Sequence, residues 1–219
     1  MDWITQYQSR VVSAEGAVRV IKSGDRLFMT GNVSVPQKLL GALVEYAPSL
    51  KNVEICQALA HGPADYVNPG MEEHMRVNTL FISANVRKAV QDGRADFTPV
   101  LLSEFPLLFK NKVLPVDVAM IHVSPPDEHG FCSLGVEVGL TKSPAESAKI
   151  IIAEVNEKMP RTLGDSFMHV SRLNYVVPVN YPVPELPMGS EGGDEISKKI
   201  AEHIAELIPD GATSIDREW

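Results

Sequence analysis

Nine positions in the segment Ser124-Pro125-Pro126-Asp127-Glu128-His129-Gly130-Phe131-Cys132 hold an acid, a base, a glycine and a thiol. Asp127 and His129 are residue types that move protons or ligate metal. Neighbouring side chains in one loop lack the spacing of His/Cys ligand sets, so no metal is expected. A rigid turn between two strands explains the same residues, with two prolines stiffening it and Gly130 permitting a strained bend. Cys132 follows Phe131 in apolar company and has no spaced His/Asn set, so it reads as a buried structural thiol. A second candidate is Gly31-Asn32-Val33-Ser34-Val35-Pro36, a glycine turn leading into a proline-started helix. Exposed backbone N–H groups at that helix N-terminus would suit an anion or an oxyanion. A plain strand-to-helix connection is the alternative. Glu154 lies in an apolar run, where burial would raise its pKa, although alternation equally lets it point to a wet edge. Ser83, Asn85 and Asn156 complete the candidates. His61 and His169 have polar-loop surroundings and receive no role.

Something must bring these residues together. Apolar runs predict strands near 26–30, 53–58, 79–82, 97–102, 116–123 and 149–155. The runs at 116–123 and 150–155 are apolar on both sides, which implies a parallel sheet covered on both faces. Helical spacing appears between them. Ser13 is placed to cap a helix carrying Ala14, Ala17, Val18 and Ile21, closed by Gly24. Pro36 stands at the first position of a helix with Leu39, Leu40, Leu43 and Val44 on one face. Residues 84–90 form a helix closed by Gly93, and Ser103 opens another through Phe109. Residues 191–208 form the last, with Ile196, Ile200, Ile204 and Leu207 on its apolar face. Residues 175–187 carry Pro178, Pro182, Pro184 and Pro187, so they read as an extended crossing segment and not a central strand. Strands alternating with helices predict a three-layer α/β/α domain with a mainly parallel central sheet. Ligands of such sheets bind beyond the carboxyl ends of the strands. Gly31, Asn32, Ser34, Pro36, Ser83, Asn85, Ser124, Asp127, His129, Gly130 and Asn156 all follow strand ends. They are therefore expected on one rim.

Composition narrows the function. The chain has 219 residues, 44% hydrophobic and 22% charged, as in an ordinary globular protein. No apolar run approaches the roughly 20 residues of a membrane helix. No basic patch followed by an apolar stretch opens the chain, so no secretory signal or membrane partner is expected. Two cysteines give no disulfide framework and fit a cytoplasmic protein. The net charge of −8 has the wrong sign for a sequence-independent nucleic-acid surface.

Taken in order, several segments resemble the acetyl-CoA hydrolase/transferase family, the family I CoA-transferases that include the 4-hydroxybutyrate enzymes. They are Ser23-Gly24-Asp25-Arg26 with the 31–36 loop, Gly93-Arg94-Ala95-Asp96-Phe97-Thr98-Pro99-Val100, Ser103-Glu104-Phe105-Pro106, and Val116-Asp117-Val118. The 123–132 segment, Ala153-Glu154-Val155-Asn156 and Gly164-Asp165-Ser166-Phe167 follow. The similarity runs from Met1 to about Thr213.

The resemblance implies the first domain, residues 1–213, of an enzyme that moves CoA between short-chain carboxylic acids. The substrates would be an acyl-CoA thioester and a carboxylate, with no metal. A glutamate of the family's second domain would attack the acyl-CoA, passing through an anhydride and a glutamyl-CoA thioester. No residue of this chain matches that glutamate, so no catalytic residue is assigned here. Residues 214–219 stand as a short tail where the second domain would open. The partners implied are that second domain, in cis or in trans, and a second copy in a homodimer. A non-catalytic binding or assembly module is the alternative. An independent enzyme of the related sugar-phosphate isomerase fold type, with Asp127 or Glu154 as base, lacks a basic phosphate cluster. The family's glycine-rich loop differs here, with Asn32 replacing its second glycine and Val35 standing before Pro36.

Overall fold

A computed structural model describes residues 2–185 and 194–213. The chain falls into two compact units, residues 1–184 and 185–219. In the first, α1 (Trp3–Gln8) and α2 (Ala14–Val18) precede β1 (Arg26–Met29), α3 (Gln37–Tyr46) and β2 (Val53–Ala58). Next come β3 (Met75–Phe81), α4 (Ala84–Gln91), β4 (Asp96–Phe97), α5 (Phe105–Lys110) and β5 (Val118–Val123). The unit ends with β6 (Phe131–Ser133), α6 (Lys142–Ser147), β7 (Ile150–Asn156), β8 (Phe167–His169) and β9 (Tyr175–Val179).

Seven strands form one sheet in the order β4-β3-β2-β1-β5-β7-β9, and every neighbouring pair is parallel. Helices cover both faces, giving the expected three-layer α/β/α architecture. Alternate residues of each strand enter opposite cores. Val118 and Met120 of β5 join Leu27, Ile152 and Val177 beneath α2, α3 and α4. Ala119, Ile121 and Val123 face the other side, with Phe105 and Phe109 of α5 and Ala145 of α6. There Phe28 meets Phe109 edge-on, at 5.7 Å between ring centres. A small antiparallel pair, β6 with β8, extends this second layer.

Local differences from the sequence reading have physical causes. The 97–102 strand shrinks to Asp96–Phe97, because Pro99 cannot donate to a ladder. The 79–82 strand begins earlier, at Met75, since Arg76 and Asn78 find partners in Asp96 and Glu54 on adjoining strands. Pro36 is the N-cap of α3 and not its first helical residue. Ser13 caps α2 by accepting from Gly16 N, but the helix ends at Val18, well before Gly24. Residues 175–179 form an edge strand, where Pro178 is tolerated.

In the second unit, Asp194 caps α7 (Glu195–Leu207) by accepting from Ser197 N. Ile196, Ile200, Ile204 and Leu207 recur on it, each more than half exposed. Residues 191–193 of the expected helix and the 214–219 tail lie outside the described residues.

Candidate functional site

Strand order reverses between β1 and β5. From β1 the chain steps outward through β2, β3 and β4 on one side, and β5, β7 and β9 follow on the other. Open parallel sheets bind ligands in the crevice at such a reversal, beyond the carboxyl ends of the strands. The 31–36 loop leaves β1 at that end, and the 124–130 loop leaves β5 at the same end.

The 31–36 loop is fixed from several directions. A Cβ on Gly31 would lie 1.8 Å from the Ala58 carbonyl oxygen, so glycine is demanded by close approach of the β2 end. Asn32 adopts φ 53°, a left-handed conformation asparagine tolerates. Its backbone N donates to Leu59 O, its carbonyl accepts from His61 N, and its Nδ2 donates to Glu137 Oε2 at 2.8 Å. Glu137 also accepts from Leu140 N through its other oxygen. On the far side, Asn85 Nδ2 donates to Gly62 O, and Ser83 Oγ donates to Asn85 Oδ1. Hydrogen bonds thus join Asn32, the 60–62 turn, Asn85 and Glu137 in one layer above the sheet. Glu137 is not among the sequence candidates. Its neighbours along the chain carry no signal, and only the fold brings it to Asn32.

Beneath the loop lies a polar column. His122, Glu154 and Asn156 share the α3-covered face of β5 and β7, and all three are fully buried. Glu154 therefore does not point to a wet edge. Its carboxylate accepts from Leu39 N and from the Tyr181 hydroxyl. Burial pushes its pKa up, opposed by Tyr181 and by the backbone N–H groups of Leu39 and Lys38. Tyr181 also accepts from Gln37 N at 3.2 Å, and burial beside this carboxylate raises its own pKa. The first amides of α3 thus face the protein's own groups, contrary to the expectation that they stand open to an outside anion.

Asn156 settles the state of His122. Its Oδ1 accepts from Lys158 N, while its Nδ2 donates to Tyr181 O at 2.9 Å and to His122 Nε2 at 3.0 Å. An imidazole accepting at Nε2 is neutral and carries its proton on Nδ1, an assignment made from these partners. Burial agrees, lowering the His122 pKa to about 4, with the Ser34 backbone opposing the shift. Nδ1 and the Ser34 hydroxyl are both buried without hydrogen-bond partners.

The 124–130 loop is braced differently. Asp127 accepts from the backbone N–H groups of Phe131 and His129 and pairs with Arg161. These contacts hold its carboxyl below the usual range. Ser124 Oγ accepts from Ser133 N. Gly130, at φ 84°, lies against Trp3 and His169, and Trp3 Nε1 donates to Glu128 O. The His129 side chain is largely exposed beside Glu128. Cys132 is buried and its thiol is pushed up to about 12, as fits a structural role. Asn32, Ser83, Asn85 and Asn156 take part in the two networks above, and Gly31, Ser34 and Pro36 lie along the 31–36 loop between them. Ser124, Asp127, His129 and Gly130 form a separate braced turn at the same end of the sheet. Among the described residues, no group of three His, Cys, Asp or Glu side chains is placed to hold a metal ion. No described helix is long and apolar enough to cross a membrane.

Comparison with known proteins adds a second line. Residues 1–187 match the family model for the acetyl-CoA hydrolase/transferase N-terminal domain. The chain is 46% identical over 213 residues to the 4-hydroxybutyrate coenzyme A transferase of Clostridium kluyveri, covering 97% of this chain and 49% of that protein. It is 41% identical over 196 residues to the succinyl-CoA:acetate/propanoyl-CoA:succinate CoA transferase of Fasciola hepatica, covering 88% of this chain and 40% of the relative. Among solved structures, the 4-hydroxybutyrate CoA-transferase of Porphyromonas gingivalis aligns with TM-score 0.80 and 30% identity, over 97% of this chain and 49% of that one. RipA from Yersinia pestis aligns with TM-score 0.85 and 29% identity, over 97% and 51%. The chain spans about half the length of the curated relatives it matches.

Proposed function

The chain belongs to the acetyl-CoA hydrolase/transferase family, and from that membership we propose that it forms the substrate-facing first half of an acyl-CoA:carboxylate CoA-transferase. The observation that carries this reading is the 46% identity to a 4-hydroxybutyrate coenzyme A transferase across 97% of the chain. The geometry supports a division of labour. The rim at the β1/β5 reversal binds short-chain acyl-CoA and carboxylate, and the covalent nucleophile comes from a second domain, in cis or in trans. Three carboxylates at this end of the sheet are committed to the fold: Glu154 to α3 and Tyr181, Glu137 to Asn32 and Leu140, and Asp127 to Arg161 and two backbone amides.

The chemistry then runs as an exchange of acyl partners. A glutamate carboxylate of the second domain attacks the acyl-CoA carbonyl, the C–S bond breaks, and CoA leaves as thiolate with a mixed anhydride formed. The thiolate attacks the glutamyl carbonyl and expels the first carboxylic acid as carboxylate, leaving glutamyl-CoA. An incoming carboxylate reverses the sequence and departs as the new acyl-CoA. This chain's part is to bind and orient. The bound acyl group lies against the 31–36 loop, with Ser83, Asn85 and the 124–130 turn along the same rim.

The test is complementation. The purified chain alone is expected to show no CoA transfer from acetyl-CoA to butyrate. Addition of the second half of the Clostridium kluyveri relative, or fusion to it, is expected to produce transfer. Transfer by the isolated chain, or none with the second half although the two bind each other, would contradict the proposal.

A further inference from the structure

We propose that Glu154 is the positioning residue of the 31–36 loop, because its carboxylate, reaching up from the sheet, serves as the N-terminal cap of α3. A helix begins with amides that have no partner inside it, and an N-cap side chain normally takes one or two of them. Pro36 occupies the N-cap of α3 and makes no side-chain cap bond. The missing acceptors come from far along the chain. Gln37 N donates to the Tyr181 hydroxyl, and Leu39 N donates to Glu154, 115 residues away. The Lys38 amide faces the same carboxylate. Leu40 N makes the first bond within the helix, to Pro36 O at 2.8 Å. Tyr181 closes the arrangement by donating to Glu154, which places one carboxylate at the positive end of a ten-residue helix.

The consequence for the loop is direct. Residues 31–36 run without a break into the capped amides of 37–39. At its start the loop is pinned by Asn32 to Leu59 and Glu137. At its end it is held through α3, and α3 is held by Glu154. Shifting that carboxylate moves Pro36 and with it Ser34, which lies over His122. Glu154 thus acts through α3 on the rim and touches no substrate. This role rests on the reading that the 31–36 loop faces the acyl-CoA, but the placement of the loop by Glu154 can be measured without activity.

Amide hydrogen exchange on the whole chain tests it, with Glu154→Gln, Glu154→Leu and Tyr181→Phe beside the wild type. Gln keeps one acceptor for Leu39 N, and Leu keeps none. The expected result is exchange in residues 31–40 faster by about 10-fold or more in Glu154→Leu, by less in Glu154→Gln, and intermediate in Tyr181→Phe. Strands β2 and β3 are expected to stay at wild-type rates. Uniform acceleration over all strands, or unchanged exchange in 31–40, would overturn the proposal. If Glu154→Leu does not fold, Glu154→Gln and Tyr181→Phe decide on the same terms. The variants are then combined with the second half. The expected outcome is a raised KM for acyl-CoA in step with loop exchange, largest in Glu154→Leu and smallest in Glu154→Gln. Wild-type protein that moves no CoA, with the exchange pattern present, would refute the transferase reading and leave the positioning role intact.

Discussion

His122 and Glu154 lie in register on neighbouring parallel strands, and burial drives both toward their neutral forms. The histidine is pulled down to about 4 and the carboxylate is pushed up. Two ionisable groups in the middle of an apolar layer are costly unless their polar atoms are engaged. Here Tyr181 and the first amides of α3 engage the Glu154 carboxylate and Asn156 engages His122 Nε2, while His122 Nδ1 stays without a partner.

Stability is expected to fall with acid through His122. The unfolded histidine takes up a proton near 6.5, while the folded one resists until about 4. Its contribution is therefore whole above about 6.5 and is lost as the pH drops toward 4, by on the order of 3 kcal/mol at most. Glu154 works in the opposite sense, because a raised carboxyl pKa costs stability as the pH rises above 4.5. Urea unfolding of wild type and His122→Gln at pH 7.5 and pH 5 separates the two. The wild type should lose more stability between those values than the variant, and an equal loss would count against the assignment.

Gly31→Ala is expected to destabilise by about 1–3 kcal/mol, since the new methyl group meets a backbone carbonyl that cannot turn aside. Gly41→Ala is the control. It sits mid-helix with open space around its Cβ position, and should be neutral or stabilising. Thermal unfolding of the two variants checks the pair, and equal melting temperatures would refute the close-approach argument.

Asp127 is expected to behave as a brace. Asp127→Ala removes the acceptor of two backbone amides and the ion-pair partner of Arg161, and is expected to lower the denaturant midpoint modestly, since water reaches these groups. Asp127→Asn keeps an acceptor for the amides and should lose less. Denaturant midpoints decide, and an Asp127→Ala protein as stable as wild type would make this carboxylate a free acid again.

Both cysteines are expected to resist modification in the folded protein. Cys56 and Cys132 are buried, and burial pushes each thiol up to about 12. An aromatic disulfide reagent should titrate no thiol in native protein and two in denaturant. Fast reaction of one native thiol would show that its burial is breached.

Much of the fold was legible in sequence because it rests on local signals. Continuous apolar runs mark β5 and β7, and Ser13 marks the start of α2. Two other short helices left no such trace. Neither α1 nor α6 reaches two full turns, so neither shows a period, and both are placed by tertiary packing such as Trp3 against Gly130. The site was legible as a set of strand ends and no further. Residue order shows that Gly31 and Ser124 follow strands, and the parallel sheet puts both at one end. The partners of Glu154 stand 115 and 27 residues away in sequence, and Glu137 reaches Asn32 across 105. Those distances close only when α3 lies over β7, so alternation alone could not say whether Glu154 was wet or buried.

Covalent trapping locates the nucleophile. The chain, alone and joined to the second half of a relative, is incubated with acetyl-CoA and treated with borohydride, and reduced glutamate is located by peptide mass. The expected result is no modified glutamate on this chain in either case, and a single adduct on the second half when transfer occurs. A stoichiometric adduct on Glu154, Glu137, Glu128 or any other carboxylate of this chain would contradict the division of labour and place the nucleophile here.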